Sequence, residues 1–240
     1  MNSILKLSIL FICSLCLSIG SLAQPDVNDI ILFEEDWENA VANTIPSGWS
    51  GDVDEAITLD TAWVLGMGPS STAATGPNSA HAGSQYFYFD SGSPAGPGEM
   101  AELISPMINI SGNNTTLNFA LYMYGTDIQM LDVSVIHGGT TTLLQRYDME
   151  LQSSKTELWS IQNLDLSTYN GQSVQISFEA QKMVLSAGDI AIDSIYVFSQ
   201  GVTTAIPTLG QWCIVILSLI LMIVIAIALN PISTSSRINE

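Results

Sequence analysis

Cysteine is scarce in this sequence of 240 residues. Cys13 and Cys16 lie in an apolar run near the N-terminus, and Cys213 begins a second apolar run near the C-terminus. The segment between the two runs has no cysteine, which excludes a disulfide, a thiolate metal site and a cysteine nucleophile there. At about 170 residues it is long enough to bury a core without such cross-links.

Basic residues are also few. The chain has five Lys and Arg against 23 Asp and Glu, and its formal net charge is −18. Between residues 24 and 205, 22 acidic residues stand against three basic ones, a net charge of −19. This balance repels nucleic acid and anionic lipid surfaces and favours divalent cations, so no nucleic-acid partner is expected. A solvated acidic surface outside the cell accounts for most of the charge.

Several motifs of enzyme chemistry are absent. The only two histidines, His81 and His137, have no partner at metal-ligand spacing. The sequence contains no Gly-x-Ser-x-Gly elbow and no phosphate-binding loop. Between the two apolar runs, no segment shows a sustained helical period with caps.

What the sequence has instead is a series of short strand patterns. Apolar and polar residues alternate in segments 117–123, 131–135 and 174–180. Segments 62–66 and 85–90 also predict strands, and 141–147 and 158–166 are weaker candidates. Gly- and Pro-rich loops at 66–78 and 91–98 separate some of them. About ten short strands joined by turns predict an all-β fold, an antiparallel jelly-roll β-sandwich.

The stretch 188–198 predicts the strand that closes this body. At a side-chain period of two, Asp189, Ala191, Asp193 and Ile195 share one face of the strand. Two carboxylates among apolar residues cost free energy unless a cation or several N–H donors satisfy them.

Both ends of the chain predict targeting. Residues 1–23 have a basic n-region, an apolar run and a small-x-small cleavage site, which indicates a secretory signal peptide. Residues 199–205 form a linker, and 206–229 contain an apolar run that spans about 27 Å as a helix, enough for one transmembrane helix. Residues 230–240 then form a short cytoplasmic tail.

The body, residues 30–198, resembles a MAM domain and the bacterial adhesin-type jelly rolls related to it. The matching pieces are Phe33-Glu34, Trp63, Thr75-Gly76-Pro77, His81, Gly83, Tyr86, Tyr88, 101–106, 117–119, 123–125, Trp159 and 189–193, with 46–49 closer to the bacterial relatives. The resemblance implies a cell-surface adhesion module of bacterial type, and not an enzyme. The family's closing pattern has two adjacent aspartates, and the second position here is Ser194.

The C-terminal segment resembles the IPTL-type sorting signal of Gram-negative bacteria. The residues that carry the match are Ile206, Pro207, Thr208, Leu209 and Trp212. This resemblance implies recognition by an exosortase-like processing enzyme. An ordinary single-span membrane anchor is the alternative interpretation.

The MAM-like resemblance also implies calcium (Ca²⁺), because related domains bind it between the first acidic strand and the closing strand. The matching ligands would be Glu34 or Glu35 and Asp193, with Asp36 and Asp90 as further candidates. The alternative is that these acids simply face solvent.

The leading prediction is an exported bacterial cell-surface protein, membrane-tethered or sorted, that binds a protein or glycan ligand. One alternative is a polysaccharide-active glycoside hydrolase that uses Glu34, Asp36 and Glu38. On one strand face these acids would stand about 6.6 Å or about 13 Å apart, which only partly suits a carboxylate pair. A structural component of the extracellular matrix is the other alternative.

Overall fold

The computed structural model describes residues 25–26, 28–53, 62–90, 97–183, 187–201, 216–220 and 222. The chain divides into two compact units, residues 1–201 and 202–240. In the described part of the first unit the regular elements are twelve β-strands and one short 3-10 turn. The strands are β1 (Ile30–Glu35), β2 (Ser50–Gly51), β3 (Trp63–Met67), β4 (Gln85–Phe89), β5 (Met100–Ile104), β6 (Ile108–Asn109), β7 (Thr115–Gly125), β8 (Ile128–His137), β9 (Thr140–Asp148), β10 (Ser160–Asp165), β11 (Ser173–Lys182) and β12 (Gly188–Ser199).

These strands form two antiparallel sheets. The first has the order β10-β7-β12-β4-β3, with β1 also paired to β12. The second has the order β2-β5-β11-β8-β9, with β6 also paired to β11. The predicted all-β class with antiparallel sheets is therefore confirmed.

Strand β12 lies at the centre of the first sheet. One of its edges pairs with β7 along nearly its whole length. Its other edge is shared, because β4 pairs with residues 190–192 and β1 pairs with residues 195–199. The point where the partner changes falls at Asp193 and Ser194.

A β-bulge interrupts β12 at this point. The register against β7 shifts between Asp193 and Tyr196, and Ser194 has φ of 50°. An extra residue in one strand changes which face the following side chains occupy. Ile195 therefore belongs to the main core with Ile190 and Ile192. The predicted common face for Asp189, Ala191, Asp193 and Ile195 is wrong at its last member.

The main core fills the space between the two sheets. Its largest fully buried members include Trp37, Trp63, Phe87, Phe119 and Phe178. Alternation along β4 sends Phe87 and Phe89 into this core. The same alternation places Tyr86 and Tyr88 in a second cluster with Tyr122 and Ala191. The indole N–H of Trp63, on β3, donates to the carbonyl of Ala101 on β5 at 3.1 Å and so links the two sheets.

The predicted loop 66–78 is only partly a loop. Gly66 and Met67 belong to β3, and Thr75, Gly76 and Pro77 are buried. The Thr75 hydroxyl donates to the Asp189 carboxylate at 2.7 Å, and the Gly76 N–H donates to the Tyr124 carbonyl at 3.0 Å. The chain from 75 to 77 is therefore held against β12 and β7. Most of the second predicted loop, residues 91–96, lies outside the described residues.

The targeting segments are described only in small part. In the second unit, residues 216–220 and 222 are helical. The described residues include no helix with the length and hydrophobicity that a membrane crossing requires. The predicted signal peptide and the sorting residues 206–212 lie outside the described residues.

Candidate functional site

The bulge in β12 places a buried carboxylate beside a loop that approaches it. Asp193 and Ser194 are almost fully buried. The loop of residues 80–84 comes just before β4, and β4 pairs with β12 immediately before the bulge. The left-handed backbone of Ser194 is uncommon for a residue with a side chain, and it creates the offset in the strand.

The Asp193 carboxylate is satisfied by three backbone N–H groups. One oxygen accepts from His81 at 2.8 Å and from Ala82 at 3.1 Å, and the other accepts from Ser194 at 2.6 Å. Burial raises the pKa of Asp193 to about 6, although the same N–H donors lower it. Of the two alternatives expected from the sequence, a cation or several N–H donors, the structure shows the N–H donors, and two of them fasten the loop to β12.

The His81 ring forms a second link to the bulge. Its Nδ1 lies 2.9 Å from the Ser194 hydroxyl oxygen, and burial lowers the pKa of the imidazole. A Ser–His contact of this length occurs in nucleophilic catalysis. Here, however, Ser194 is only 3% exposed, and both Asp193 oxygens accept from backbone N–H groups. The arrangement therefore holds the loop and does not present a nucleophile to a substrate.

A groove of about 560 Å³ opens beside His81. Residues 77–81 line one wall, residues 155–159 line the other, and Tyr122 also contributes; we call it the Trp159 groove. Its walls are joined to each other by hydrogen bonds. The Asn78 N–H donates to the Lys155 carbonyl at 3.2 Å, and the Trp159 indole N–H donates to the Ser79 carbonyl at 3.1 Å.

The second aromatic cluster lies beneath this groove. The ring centroid of Trp159 is 5.3 Å from that of Tyr122, 5.8 Å from Tyr86 and 6.2 Å from His81, all in edge-on arrangements. The Tyr122 hydroxyl donates to the Ser154 carbonyl, and the Tyr86 hydroxyl donates to the Gly68 carbonyl at 2.8 Å. These rings are fixed in place, so the groove has a rigid base.

The groove also carries polar and charged groups. Lys155 donates from Nζ to the Thr72 carbonyl at 3.3 Å. The Glu157 carboxylate accepts from the backbone and the hydroxyl of Ser153, and these bonds lower its pKa. Leu158, 89% exposed, lies at the rim. The lining therefore combines an aromatic surface with one positively charged and one negatively charged side chain.

The acids predicted on the first strand lie beside β12, as expected. In the pairing of β1 with β12, Glu34 is opposite Tyr196 and Glu35 is opposite Ile195. The Glu35 carboxylate accepts from the Trp37 backbone N–H and from the Trp49 indole N–H, both at 3.0 Å. This carboxylate organises the local turn and its aromatic residues.

The strand ends before the remaining acids of that run. Trp37 has φ of 62°, which is incompatible with an extended strand, and β1 therefore ends at Glu35. Glu38 lies beyond the turn, where its carboxylate accepts the Ser84 and Gln85 N–H groups at 2.7 and 2.8 Å. The assumption that Glu34, Asp36 and Glu38 share one strand face is therefore wrong.

Asp90 is separated from the other predicted calcium ligands. Because Phe89 pairs with Ile190, Asp90 is level with Asp189. Asp193 is four residues further along β12 than Asp189, which at the usual rise per strand residue separates it from Asp90 by about 13 Å along the strand. The Asp90 carboxylate accepts from the Ser71 hydroxyl at 2.8 Å.

A calcium ion would need several of these acids to converge. In the described part of the chain, no group of three or more His, Cys, Asp or Glu side chains is arranged to hold a metal ion. Glu35 and Asp193 instead use their oxygens to accept N–H groups of the protein. The five predicted residues do not form one ligand set in this geometry, and calcium binding stays a prediction that measurement must test.

The Trp159 groove is the feature that sequence reasoning missed. Trp159 and His81 stand out in the sequence only as family positions, and no sequence feature marks Tyr122 or Lys155 as part of a groove. The residues of the two walls, 77–81 and 155–159, are 78 positions apart in the sequence, so no local pattern could bring them together. The aromatic run 85–89 was the nearest available signal.

A family model described as "MAM domain, meprin/A5/mu" matches residues 47–201. MAM domain-containing glycosylphosphatidylinositol anchor protein 2 of Rattus norvegicus is 30% identical over 135 residues, covering 52% of this chain and 14% of that protein. The chain thus spans about one seventh of the length of that relative.

Two solved structures are similar in part. The K3 cleaved adhesin domain of Lys-gingipain from Porphyromonas gingivalis aligns with a TM-score of 0.45 at 15% identity, covering 71% of this chain and 99% of that chain. The apo form of a cyclase from Fischerella sp. aligns with a TM-score of 0.49 at 13% identity, covering 74% and 100%. Identities and TM-scores this low do not indicate a shared activity.

Proposed function

This chain belongs to the MAM domain family, and we propose from that membership that its β-sandwich is a binding module rather than a catalyst. The Trp159 groove carries the proposal. Its walls are joined by hydrogen bonds and its aromatic base is buried, so a ligand would meet a surface that is already in its bound shape. Such preorganisation reduces the entropy lost on binding.

The chemistry of the surrounding groups supports binding. The Ser194 hydroxyl is buried, and Asp193, Glu35 and Glu38 each accept several hydrogen bonds from the protein. Carboxylates that accept hydrogen bonds from the protein itself stabilise the fold. The Glu34/Asp36/Glu38 hydrolase alternative loses its geometric basis once β1 ends at Glu35.

The proposed location is the cell surface of a bacterium. The sequence supports export through residues 1–23 and retention through 206–229, with an exosortase-like enzyme acting on Ile206, Pro207, Thr208, Leu209 and Trp212. Fractionation of cells that carry the full chain tests retention. A change of Trp212→Ala is expected to release or mislocalise the chain if this residue is read as a signal.

The binding proposal is tested with the full chain, purified in mild detergent, on protein and glycan arrays. Retention by at least one ligand is expected. Ser79 and Thr168 are both exposed, but only Ser79 lines the groove. Ser79→Trp should therefore abolish binding, and the matched Thr168→Trp should leave it unchanged.

Two results would overturn the proposal. One is the absence of any ligand on both arrays, and the other is binding that Ser79→Trp does not affect. Release of reducing ends from a polysaccharide by the wild type, lost in Glu38→Gln, would support the hydrolase instead.

A further inference from the structure

We propose that the Trp159 groove binds a neutral saccharide of one to three units. The inference rests on the binding function proposed above and names the ligand class of the same groove. Its volume of about 560 Å³ lies within the usual range for small-molecule sites, roughly 300–1,000 Å³. A folded protein partner would instead need an interface of about 800 Å² on each side.

The position of the groove in the sheet argues against an extended peptide. Tyr122 lies on β7, Tyr86 on β4 and Ala191 on β12, which are inner strands of the first sheet. The backbone groups of these strands pair with neighbouring strands. A peptide therefore finds no sheet edge to extend, and recognition must come from side chains and loop groups.

The lining has the mixture that a sugar requires. A sugar ring presents an apolar C–H face that packs on an aromatic ring and a rim of hydroxyls that form hydrogen bonds. Trp159 is only half-buried, so part of its indole faces the groove. Asn78 and Thr156 lie around it with an amide and a hydroxyl, and the Thr156 hydroxyl oxygen lies 3.3 Å from that of Ser154.

Charge selects a neutral sugar over an anionic one. The described walls of the groove contain one lysine, Lys155, and its ammonium group already donates to Thr72. Glu157 lies two residues further along the same wall, and the body carries a net charge of −19. Sulfated or sialylated glycans would be repelled.

The experiment uses the full chain in mild detergent and a panel of neutral trisaccharides, one each of glucose, galactose, mannose and N-acetylglucosamine. Heparin and a sialylated trisaccharide are the anionic probes. Binding is followed by Trp fluorescence and calorimetry. At least one neutral trisaccharide is expected to bind, and neither anionic probe.

Two groove variants locate the binding. Asn78→Ala and Thr156→Val are each expected to weaken saccharide binding at least tenfold. The matched control Asn114→Ala lies outside the groove and should not change the affinity. Thermal unfolding of each variant shows whether a loss of binding reflects a loss of folding. If one variant fails to fold, the other decides the location.

The outcomes separate a failure of the saccharide assignment from a failure of the binding function. If no neutral saccharide binds but a protein from the array binds in an Asn78-dependent way, the saccharide assignment is overturned and the binding function stands. Binding to heparin, or saccharide binding equal in all variants, also overturns the assignment. If neither a protein nor a saccharide binds, both proposals fail.

Discussion

The carboxylate of Asp193 and the backbone N–H of His81 are 2.8 Å apart across 112 residues of chain. This bond fastens the loop before β4 to the bulge in β12, and His81 lines the Trp159 groove. The buried acid therefore positions one wall of the groove. Its own oxygens are taken up by N–H donors, so its contribution is structural.

Removal of the carboxylate should loosen this loop. Asp193→Ala leaves the N–H groups of His81, Ala82 and Ser194 without their acceptor. The free energy of unfolding should fall by about 1–3 kcal/mol, the usual result of leaving a buried donor unsatisfied. Urea denaturation measures the loss, and limited proteolysis should show faster cleavage within residues 78–84. The exposed acid in Asp148→Ala is the control, and an equal loss in both variants would contradict the assigned role.

A row of charges crosses the outer side of the second sheet and predicts a pH dependence. Glu179 on β11 is opposite Glu102 on β5 and Asp132 on β8, and Asp132 is opposite Arg146 on β9. Burial and then the two neighbouring carboxylates raise the pKa of Glu179, while Arg146, 2.6 Å from Asp132, lowers it. In the folded state Glu179 therefore holds its proton to a higher pH than in the unfolded chain.

The sign of the effect follows from this raised pKa. Above the folded pKa the ionised Glu179 opposes folding, and this cost disappears as pH falls toward the unfolded value near 4.5. Glu179→Gln should therefore stabilise the protein at pH 7, and the gain should vanish near pH 4. Urea midpoints between pH 4 and pH 8 measure it, with exposed Glu150→Gln as the control. A gain that is constant across this range would contradict the electrostatic cause.

Gly66 is required by the close approach of the Tyr86 ring. A Cβ atom at residue 66 would lie 2.5 Å from the ring, and Tyr86 is fully buried with its hydroxyl bonded to Gly68. Gly66→Ala should lower the free energy of unfolding by about 1–3 kcal/mol through overpacking. In a Tyr86→Leu background, the same change should cost clearly less. If the cost is the same in both backgrounds, the clash is not its cause.

Calcium binding remains a separate prediction. If the acids near β1 and β12 rearrange to bind Ca²⁺, the melting temperature of the full chain should rise with millimolar calcium and fall with a chelator. Glu34→Gln should reduce this rise, and Asp148→Asn should not. Equal melting temperatures in calcium, magnesium and chelator would rule out a stabilising site.

Strand β5 shows why some elements escape sequence reasoning. Its alternation of buried Ala101 and Leu103 with more exposed neighbours is only five residues long, and Pro106 follows closely. The segment therefore matches the family pattern but does not by itself predict a strand. The strand forms because each residue of β5 pairs with a residue of β11, which lies about 75 positions later in the sequence.

The all-β class, the main strands and the likeness to the MAM family can all be predicted from local sequence patterns. Alternation of apolar and polar side chains is a local property, and long strands such as β7, β8 and β11 carry it over enough residues to be unambiguous. Three features can be seen only in the folded chain: the N–H donors that satisfy Asp193, the end of β1 at Glu35 and the groove beside Trp159. These depend on a bulge at Ser194, a left-handed Trp37 and a meeting of residues 77–81 with 155–159. Backbone offsets and long-range contacts of this kind leave no period in the sequence, because their cause lies in the packing of distant segments.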